Sequence, residues 1–270
     1  MKICFVIPTF NDEHSLKRLI DNINKELKNF TLHFIIIDDY SSDDYKTLDT
    51  FHKLDLIKLK KNQGSQKAIS IGLKYLKDKE IDFDYVIIMD ADGEDKPNYL
   101  KLLIDEAQNN NNNFIIFASR KKRMEIFTFK FLYFLYKLLF RTLTGNRINF
   151  GNYSCVPKKF LNDIIKSPFI DLHYSAAIIK SKLNYSTIPC DKGIRYSGDS
   201  KMSFSNLFTH GLKSLSIFTK EIFIRFLIFF FIYNCIFLLN LELNLIIKLN
   251  SLFLFFTTTL LLFLYRLIKN

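Results

Sequence analysis

The sequence predicts an α/β protein with a mostly parallel sheet, followed by membrane-associated helices. Three observations lead to this prediction. Short apolar segments alternate with segments of helical periodicity, polar clusters follow the apolar segments, and the C-terminal part contains long stretches almost without charge. Strands that are apolar throughout are typical of a parallel sheet covered by helices, because both faces of such a strand are buried.

The predicted elements alternate from the N-terminus onward. The apolar segments that predict strands are 3–7, 32–37, 56–59, 85–89 and 114–118. The segments whose periodicity predicts helices are 15–29, 65–77 and 97–108. The first apolar segment is too short for the core of a signal peptide and ends at Pro8, so it is predicted to be a buried strand.

Charge is distributed unevenly along the 270 residues. The chain has 38 basic and 27 acidic side chains, a net charge of +11. Residues 1–120 carry a net charge of −3, residues 121–225 carry +12 and residues 226–270 carry +2. Because a nucleic-acid-binding protein would be more uniformly basic, no nucleic acid is expected as a partner. The four cysteines form no C-x-x-C pair, so neither a disulfide framework nor a zinc site is predicted.

Two apolar stretches predict a hairpin of transmembrane helices at about 222–241 and 249–267. The first contains one charged residue near its start, Arg225, and no charged residue occurs from Leu249 to Tyr265. A spanning helix needs roughly 20 apolar residues, with about 17 as the lower limit. Basic residues flank the pair on both sides, so a multi-pass protein of the inner membrane with both ends in the cytoplasm is expected. The alternative is that these segments are two buried helices of a soluble domain. Because neither helix has a polar face, such a domain would have to bury both of them on all sides.

A further helix is predicted at 127–143. Its basic residues Lys130, Lys137 and Arg141 are seven and four positions apart. At 100° per residue they fall within about 40° of one another, and the remaining surface is almost entirely Phe, Leu and Tyr. Such a helix suits the headgroup layer of a membrane, with its cations toward phosphates. An amphipathic helix packed on the sheet is the alternative.

Two pairs of carboxylates follow predicted strands. Asp90 and Asp92 come directly after segment 85–89 and are separated by one alanine. Such a pair can bind a hard divalent cation that also binds a diphosphate, although surface turns contain the same pattern by chance. Asp38 and Asp39 follow segment 34–37, where a carboxylate could accept hydrogen bonds from a nucleobase or ribose, or simply cap a turn.

Five motifs together resemble the family-2 glycosyltransferases of GT-A fold, and more narrowly the polyprenyl- and dolichyl-phosphate sugar synthases. In chain order these motifs are Val6–Asp12, Ile36–Ser41, Asn62–Gly64, Met89–Gly93 and Arg195–Lys201. The resemblance covers about residues 3–225, and the apolar C-terminus is similar to that of bacterial members with two membrane helices. It implies a catalytic domain at 1–210 that includes helix 127–143, and a membrane part at 211–270.

The resemblance also implies roles for individual residues. The residues implied to bind the nucleotide sugar are Pro8, Phe10, Asp12, Asp39, Asp90 and Arg120. Asp90 and Asp92 would bind Mg²⁺ or Mn²⁺. Asp92, together with Arg195 and Lys201 of the R-x-x-G-[ED]-S-K motif, would be catalytic, because two cations on one loop can approach the phosphates of donor and acceptor. Glu94 stands where relatives often have Gln.

Position 152 departs from the family pattern. Gly151-Asn152-Tyr153 stands where many lipid-phosphate sugar synthases have Gly-Asp-Phe. An amide cannot take a proton at neutral pH, so Asn152 is not a general base. A phosphate monoester needs no strong base, because its second pKa is near 6 and it is already largely anionic. Asn152 therefore favours a lipid phosphate as acceptor, unless another carboxylate acts as the base.

The expected function is transfer of a sugar from a nucleotide-sugar donor to a lipid acceptor in the membrane, polyprenyl phosphate. One alternative is a family-2 enzyme that extends a lipid-linked or surface polysaccharide at a sugar hydroxyl. A nucleotidyltransferase and a non-catalytic membrane scaffold are further alternatives, and the absence of a Gly-rich basic loop after the first strand counts against the former. The donor sugar, the base and the oligomeric state, a homo-oligomer included, stay open.

Overall fold

The computed structural model describes residues 1–42, 45, 48, 52–120, 127–198, 204–237 and 243–269. The chain divides into two compact units. The first comprises Met1–Glu125 and Asn149–Lys201, and the second comprises Ile126–Ile148 and Met202–Asn270. The structure thus groups the helix predicted at 127–143 with the C-terminal helices, whereas the sequence-based boundaries grouped it with residues 1–210.

The first unit is built on one seven-stranded sheet. In chain order its strands are β1 (Lys2–Thr9), β2 (Thr31–Asp38), β3 (Lys53–Lys58), β4 (Tyr85–Ile88), β5 (Ile115–Arg120), β6 (Phe150–Pro157) and β7 (Tyr185–Cys190). Their order across the sheet is β3-β2-β1-β4-β6-β5-β7. Strand β6 runs antiparallel to β4 and β5, and the other neighbouring pairs are parallel. The predicted α/β fold with a mostly parallel sheet is confirmed.

Most of the helices connect these strands, and the last three follow β7. The helices are α1 (Glu13–Glu26), α2 (Ser65–Asp78), α3 (Leu100–Asn109), α4 (Phe127–Thr144), α5 (Leu161–Lys166), α6 (Tyr174–Lys180), α7 (Phe204–Ser216), α8 (Thr219–Phe237) and α9 (Leu243–Lys269). The predicted helices 15–29, 65–77 and 97–108 correspond to α1, α2 and α3. Strands β6 and β7 were not predicted, because each mixes polar with apolar residues.

The core of the first unit lies around the central strands. Every residue of β1 and β2 beyond the first is buried, as expected for strands covered on both faces. The rings of Phe5 on β1 and Phe34 on β2 stack with their centroids 5.1 Å apart. Helix α1 adds buried side chains that include Leu16, Leu19 and Ile23. This packing fixes the strand ends from which the loops described below emerge.

The second unit contains α4 and α7–α9. The ring of Phe140 on α4 packs edge-on against Phe218, with centroids 5.4 Å apart, and the hydroxyls of Tyr136 and Ser214 lie 2.7 Å apart. These contacts explain why α4 belongs with the C-terminal helices. The ring of Phe253 on α9 stacks on Phe230 of α8 at 5.4 Å.

Among the described residues, one stretch is long and apolar enough to cross a membrane by length and composition. It is Leu249–Arg266 in α9, with a mean hydropathy of 1.4, and 11% of it is buried. The other predicted span, 222–241, begins in α8 and continues into residues 238–241, which lie outside the described residues. The transmembrane hairpin therefore stays a prediction.

Candidate active site

The candidate site lies at the carboxyl ends of β1, β2 and β4, which meet at one edge because these strands are parallel. The antiparallel strand β6 brings its first residues to the same edge. Ile88 of β4 pairs with Ser154 of β6. Continuing this register by two residues places Asn152 opposite Asp90, so the amide at the unusual position lies beside the first carboxylate of the Asp90-Ala91-Asp92 motif.

The loop after β4 folds into a tight turn around its own carboxylates. The backbone N–H of Asp90 donates to Oδ2 of Asp95 at 3.0 Å, and that of Glu94 donates to Oδ1 of Asp92 at 2.9 Å. Gly93 has a φ of +86°, and a Cβ at this position would lie 2.6 Å from the ring of Tyr196. Glycine is required here because it alone combines the left-handed backbone with this close approach.

Burial and mutual repulsion raise the pKa values of the carboxylates in this loop. Burial, followed by the neighbouring charge of Asp92, raises the pKa of Asp90 to about 6. Burial also raises the pKa of Asp92 and holds the pKa of Asp95 well above its usual range. Asp95 was missed in the sequence analysis. Burial is the largest cause in each case, and a bound cation would counteract it by favouring the charged carboxylates.

Three basic side chains surround this loop. The guanidinium of Arg195 contacts Oδ2 of Asp92 through Nη2, and its Nε lies 3.3 Å from Oε1 of Glu94. The other carboxylate oxygen of Glu94 lies 2.8 Å from Nζ of Lys192 and 3.6 Å from Nη2 of Arg120. The structure therefore brings the predicted residues Asp92, Arg120 and Arg195 together. It adds Lys192, which the sequence analysis missed because that residue lies outside the family motif.

Backbone hydrogen bonds hold the basic loop against the acidic loop. The N–H of Tyr196 donates to the carbonyl of Asp92 at 2.9 Å, and the N–H of Gly193 donates to the carbonyl of Glu94 at 2.7 Å. A Cβ at Gly193 would lie 2.2 Å from the carbonyl oxygen of Gly93, so the backbones of the two loops are in direct contact. Lys201, the other basic residue of the predicted pair, lies outside the described residues.

Asp39 at the end of β2 is bound by backbone N–H groups. Its Oδ1 accepts a hydrogen bond from the N–H of Gln63 at 2.6 Å, and its Oδ2 accepts one from Gly64 at 2.7 Å. Burial nevertheless raises the pKa of Asp39. The carboxylate thereby fixes the loop before α2, and each oxygen keeps a second lone pair with which it could bind a ligand.

The loop after β1 contains the remaining predicted donor-binding residues. Pro8 is buried in the sheet, and the side chain of Phe10 is 38% exposed. Asp12 precedes α1, and its Oδ1 accepts a hydrogen bond from Oγ of Ser197 at 3.3 Å. Asp12 therefore touches the same basic loop that carries Arg195.

A relay of hydrogen bonds determines how the Asn152 amide is oriented. The backbone N–H of Tyr174 donates to Oε1 of Gln66 at 2.7 Å, and Nε2 of Gln66 donates to Oδ1 of Asn152 at 3.1 Å. A backbone N–H can only donate, so the group of Gln66 that accepts from Tyr174 is its oxygen, and its NH₂ group then donates to the oxygen of Asn152. The NH₂ group of Asn152 is therefore the group that faces Asp90. The hydrogen bond from Asn152 lowers the pKa of Asp90, although burial outweighs it. Gln66 was not singled out from the sequence.

The carboxylates of Asp90 and Asp92 suit a divalent metal by their chemistry. They are oxygen ligands at the end of a buried strand, and Asp92 already contacts a cation, the guanidinium of Arg195. Within the described ranges, no group of three or more His, Cys, Asp or Glu side chains is arranged to hold a metal. A metal here would therefore need further oxygen ligands, such as those of a diphosphate.

The fold is similar to that of several solved enzymes. Glucosyl-3-phosphoglycerate synthase from Mycobacterium tuberculosis, in complex with Mn²⁺, UDP and phosphoglyceric acid, matches 82% of this chain and 78% of its own, with a TM-score of 0.59 and 12% identity. The same enzyme with Mn²⁺, UDP and glucosyl-3-phosphoglycerate matches with a TM-score of 0.57 and 14% identity, covering 82% of this chain and 79% of its own. These similarities show a GT-A fold.

The similar proteins with assigned activities include undecaprenyl-phosphate sugar transferases. Undecaprenyl-phosphate 4-deoxy-4-formamido-L-arabinose transferase from Proteus mirabilis is 26% identical over 220 residues, which cover 76% of this chain and 64% of the relative. The enzyme of that name from Salmonella choleraesuis is 26% identical over 219 residues, with the same coverage. The chain thus spans slightly less than two thirds of these relatives.

The family assignment depends on the N-terminal part of the chain. The model of glycosyl transferase family 2 matches residues 4–164, more than half of the chain. That stretch contains most of β1, all of β2–β6 and the acidic loop after β4, and it ends before the basic loop that contains Arg195. The prediction from the sequence motifs is confirmed, and the chain belongs to glycosyl transferase family 2.

Proposed function

We propose that this protein transfers a sugar from a nucleotide-sugar donor to a polyprenyl phosphate at a membrane surface, with a divalent cation bound by Asp90 and Asp92. The observation that carries the proposal is the contact between Asp92 and Arg195 at the carboxyl edge of the sheet. It combines an acidic pair that suits a metal with a cation that suits phosphate, as a reaction between two phosphate-containing substrates requires.

In the proposed reaction, a phosphate oxygen of the acceptor attacks the anomeric carbon of the donor sugar. The bond between that carbon and the diphosphate oxygen breaks, and its electron pair leaves with the nucleoside diphosphate. A metal bound at the carboxylates would supply charge neutralisation for this leaving group. Arg195 would stabilise the same developing charge, because guanidinium groups form paired hydrogen bonds with phosphate oxygens.

No strong base is needed for this reaction. The acceptor phosphate is anionic at neutral pH, so the nucleophile requires no proton transfer. Asn152 fits this scheme, because its amide is tied to Gln66 and Asp90 and has no capacity to take a proton. A sugar hydroxyl as acceptor would need a carboxylate base, and the carboxylates near Asn152 are the ones proposed to bind the metal.

The second unit supports a membrane-bound acceptor. Its helices expose large apolar side chains, for example Phe229 and Phe231 on α8 and Phe255 and Phe256 on α9, each at least 50% exposed. Exposed apolar surface of this extent marks a lipid or protein contact. We place these helices in the inner membrane and the first unit on its cytoplasmic side, where nucleotide sugars are available.

Membranes containing the full chain can test the proposed function. They would be incubated with undecaprenyl phosphate, Mn²⁺ and each common radiolabelled nucleotide sugar, followed by extraction of lipid. We expect one donor to give a labelled polyprenyl-phosphate sugar, and the isosteric variant Asp92→Asn to form that product at a strongly reduced rate. Absence of labelled lipid phosphate with every donor, or label found only on a polysaccharide, would contradict the proposal.

A further inference from the structure

Tyr196 follows Arg195 directly and joins the basic loop after β7 to the acidic loop after β4. Its backbone N–H donates to the carbonyl of Asp92 at 2.9 Å. Its ring contacts the backbone of Gly93, where an added Cβ would lie 2.6 Å from the nearest ring carbons. The side chain is half-buried and packs against the hydrophobic core of the first unit. The backbone next to Arg195 is therefore held by the Tyr196 side chain as well as by hydrogen bonds between the loops.

Helix α1 also contacts the ring of Tyr196. The guanidinium carbon of Arg18 lies 4.7 Å from the centroid of this ring, and Nδ2 of Asn22 donates to the Tyr196 hydroxyl at 2.9 Å. A cation placed over an aromatic face at this distance stabilises the contact. Arg18 and Asn22 are four positions apart, so they lie on one face of α1. Phenylalanine would lose the hydrogen bond to α1, and an aliphatic side chain would lose both contacts.

The residue after Tyr196 contacts the same face of α1. Oγ of Ser197 lies 2.9 Å from Oγ of the buried Ser15 and 3.3 Å from Oδ1 of Asp12. A carboxylate oxygen can only accept, so Ser197 donates to Asp12 and accepts from Ser15. The residues that bind Tyr196 and Ser197 form a polar stripe that starts at the N-cap of α1: Asp12, Ser15, Arg18 and Asn22. Two consecutive residues of the basic loop are therefore anchored to one helix face.

We propose that Tyr196 is a positioning residue for Arg195, and that its anchorage to the polar stripe keeps the Arg195 guanidinium opposite Asp92. A long flexible side chain loses conformational entropy when it adopts one geometry, and a fixed backbone removes part of that cost. Small displacements of a group that acts on the reacting atoms are expensive, because a shift of about 1 Å can lower a rate about 100-fold. The inference rests on the proposed function, since that function gives Arg195 its role at the leaving group.

A purely structural role of Tyr196 is distinguishable from a positioning role. Because the side chain packs against the core, its loss would also lower stability. A residue that acts through Arg195 affects the rate only while the Arg195 guanidinium is present, whereas a general loss of order lowers the rate with or without it. Measuring the effect of Tyr196→Leu in both backgrounds therefore separates the two roles.

The first measurement is hydrogen exchange on the full chain in detergent. We expect Tyr196→Leu to increase exchange of the backbone N–H groups at positions 193 and 196 at least about 10-fold, because the ring contacts that keep the loop closed are lost. Exchange in β1 should not change. Arg18→Gln should increase exchange of the loop by a smaller factor, about 2- to 5-fold. The matched control is Lys17→Gln, which removes an exposed cation from the adjacent position of α1, about 100° around the helix, and should leave the loop unchanged.

The second measurement is a kinetic cycle of Tyr196→Leu and Arg195→Gln with the donor that gives product. We expect Tyr196→Leu alone to lower kcat about 10- to 100-fold and to change KM for the donor much less, because Arg195 acts on charge that develops in the transition state. Tyr196→Phe keeps the ring, so its kcat should stay within about fivefold of the unmodified protein. In combination with Arg195→Gln, Tyr196→Leu should lower kcat by no more than about twofold further.

Equal reductions of kcat by Tyr196→Leu with and without Arg195→Gln would overturn the inference, and so would unchanged exchange of the basic loop. If Tyr196→Leu does not fold, the same cycle with Arg18→Gln decides the question, and additive effects of Arg18→Gln and Arg195→Gln would overturn it equally. Exchange needs no turnover, so a failure of this inference is recognised separately from a failure of the proposed sugar transfer.

Discussion

Carboxylates at the two ends of strand β4 have opposite properties. Asp82, shortly before the strand, is exposed and lies 2.6 Å from Nζ of Lys2 and 3.0 Å from Nζ of Lys158. Hydrogen bonds from these lysines, Lys2 first, lower the pKa of Asp82 to about 2. Asp90, shortly after the strand, is buried beside Asp92, and its pKa is raised to about 6.

The difference separates a structural edge of the sheet from a functional one. At the structural edge, Asp82 pairs with two lysines in water, so little free energy is gained or stored. At the Asp90 edge, carboxylates are held together at a cost to folding, and such arrangements cluster at functional sites. A cavity does not by itself mark the functional edge, because two cavities of about 510 and 350 Å³ lie at the Asp82 edge.

The largest expected effect is that of Asp92→Asn at the functional edge. The substitution removes the charge that contacts Arg195 and half of the proposed metal pair while keeping the shape. We expect kcat for sugar transfer to fall by at least about 100-fold, in the range found when a group that stabilises developing charge is lost. Thermal unfolding measured alongside should show an unchanged or higher midpoint, because a repulsive charge is removed; a lower midpoint would mean that Asp92 stabilises the fold.

A smaller effect is expected for Asn152→Asp. The relay from Gln66 would still donate to position 152, so the second carboxylate oxygen would face Asp90 in place of an NH₂ group. We expect kcat/KM to fall about 10-fold because this repulsion disturbs Asp90, in the range found for changes next to metal ligands. Asn149→Asp, an exposed position just before β6, is the control and should stay within about twofold. Higher activity of Asn152→Asp would instead identify this position as the site of a missing base.

The pH dependence of stability should differ between the two edges. A carboxyl group whose pKa is higher in the folded than in the unfolded state binds protons preferentially when the protein is folded. The raised pKa of Asp90 should therefore make the protein more stable as the pH falls from above 6 towards 4. The low pKa of Asp82 acts in the opposite direction, since its contribution is lost as the pH falls from about 4 to 2. Unfolding midpoints at pH 7.5 and 5 should therefore differ less in Asp90→Asn than in the unmodified protein. Equal differences in both proteins would contradict the assignment to Asp90.

The smallest effect is expected for Asp82→Asn. Exposed ion pairs contribute little to stability because water screens them, so the unfolding midpoint should fall only slightly, and sugar transfer should stay within about twofold of the unmodified protein. Measurement of both quantities on one preparation checks this expectation. A large loss of activity would show that the Asp82 edge, with its cavities, takes part in the function.

Prediction from the sequence succeeded where local pattern and burial agree. The strands β1, β2 and β4 contain continuous or nearly continuous hydrophobic runs, and these runs predict buried parallel strands without further information. The acidic pair Asp90 and Asp92 was found for the same reason, because it directly follows such a run. Strands β6 and β7 were not predicted, because their polar and apolar residues follow no regular alternation.

The sequence by itself determined the α/β class, the family and the acidic motif, because these depend on residues close together in the chain. The tertiary structure decided which distant residues join them: Asn152 lies beside Asp90 because β6 is antiparallel, and Lys192 reaches Glu94 because the loop after β7 pairs with the loop after β4. It also assigned α4 to the C-terminal unit. Contacts between residues 60 to 100 positions apart are set by sheet order and register, and no local pattern in the chain encodes them.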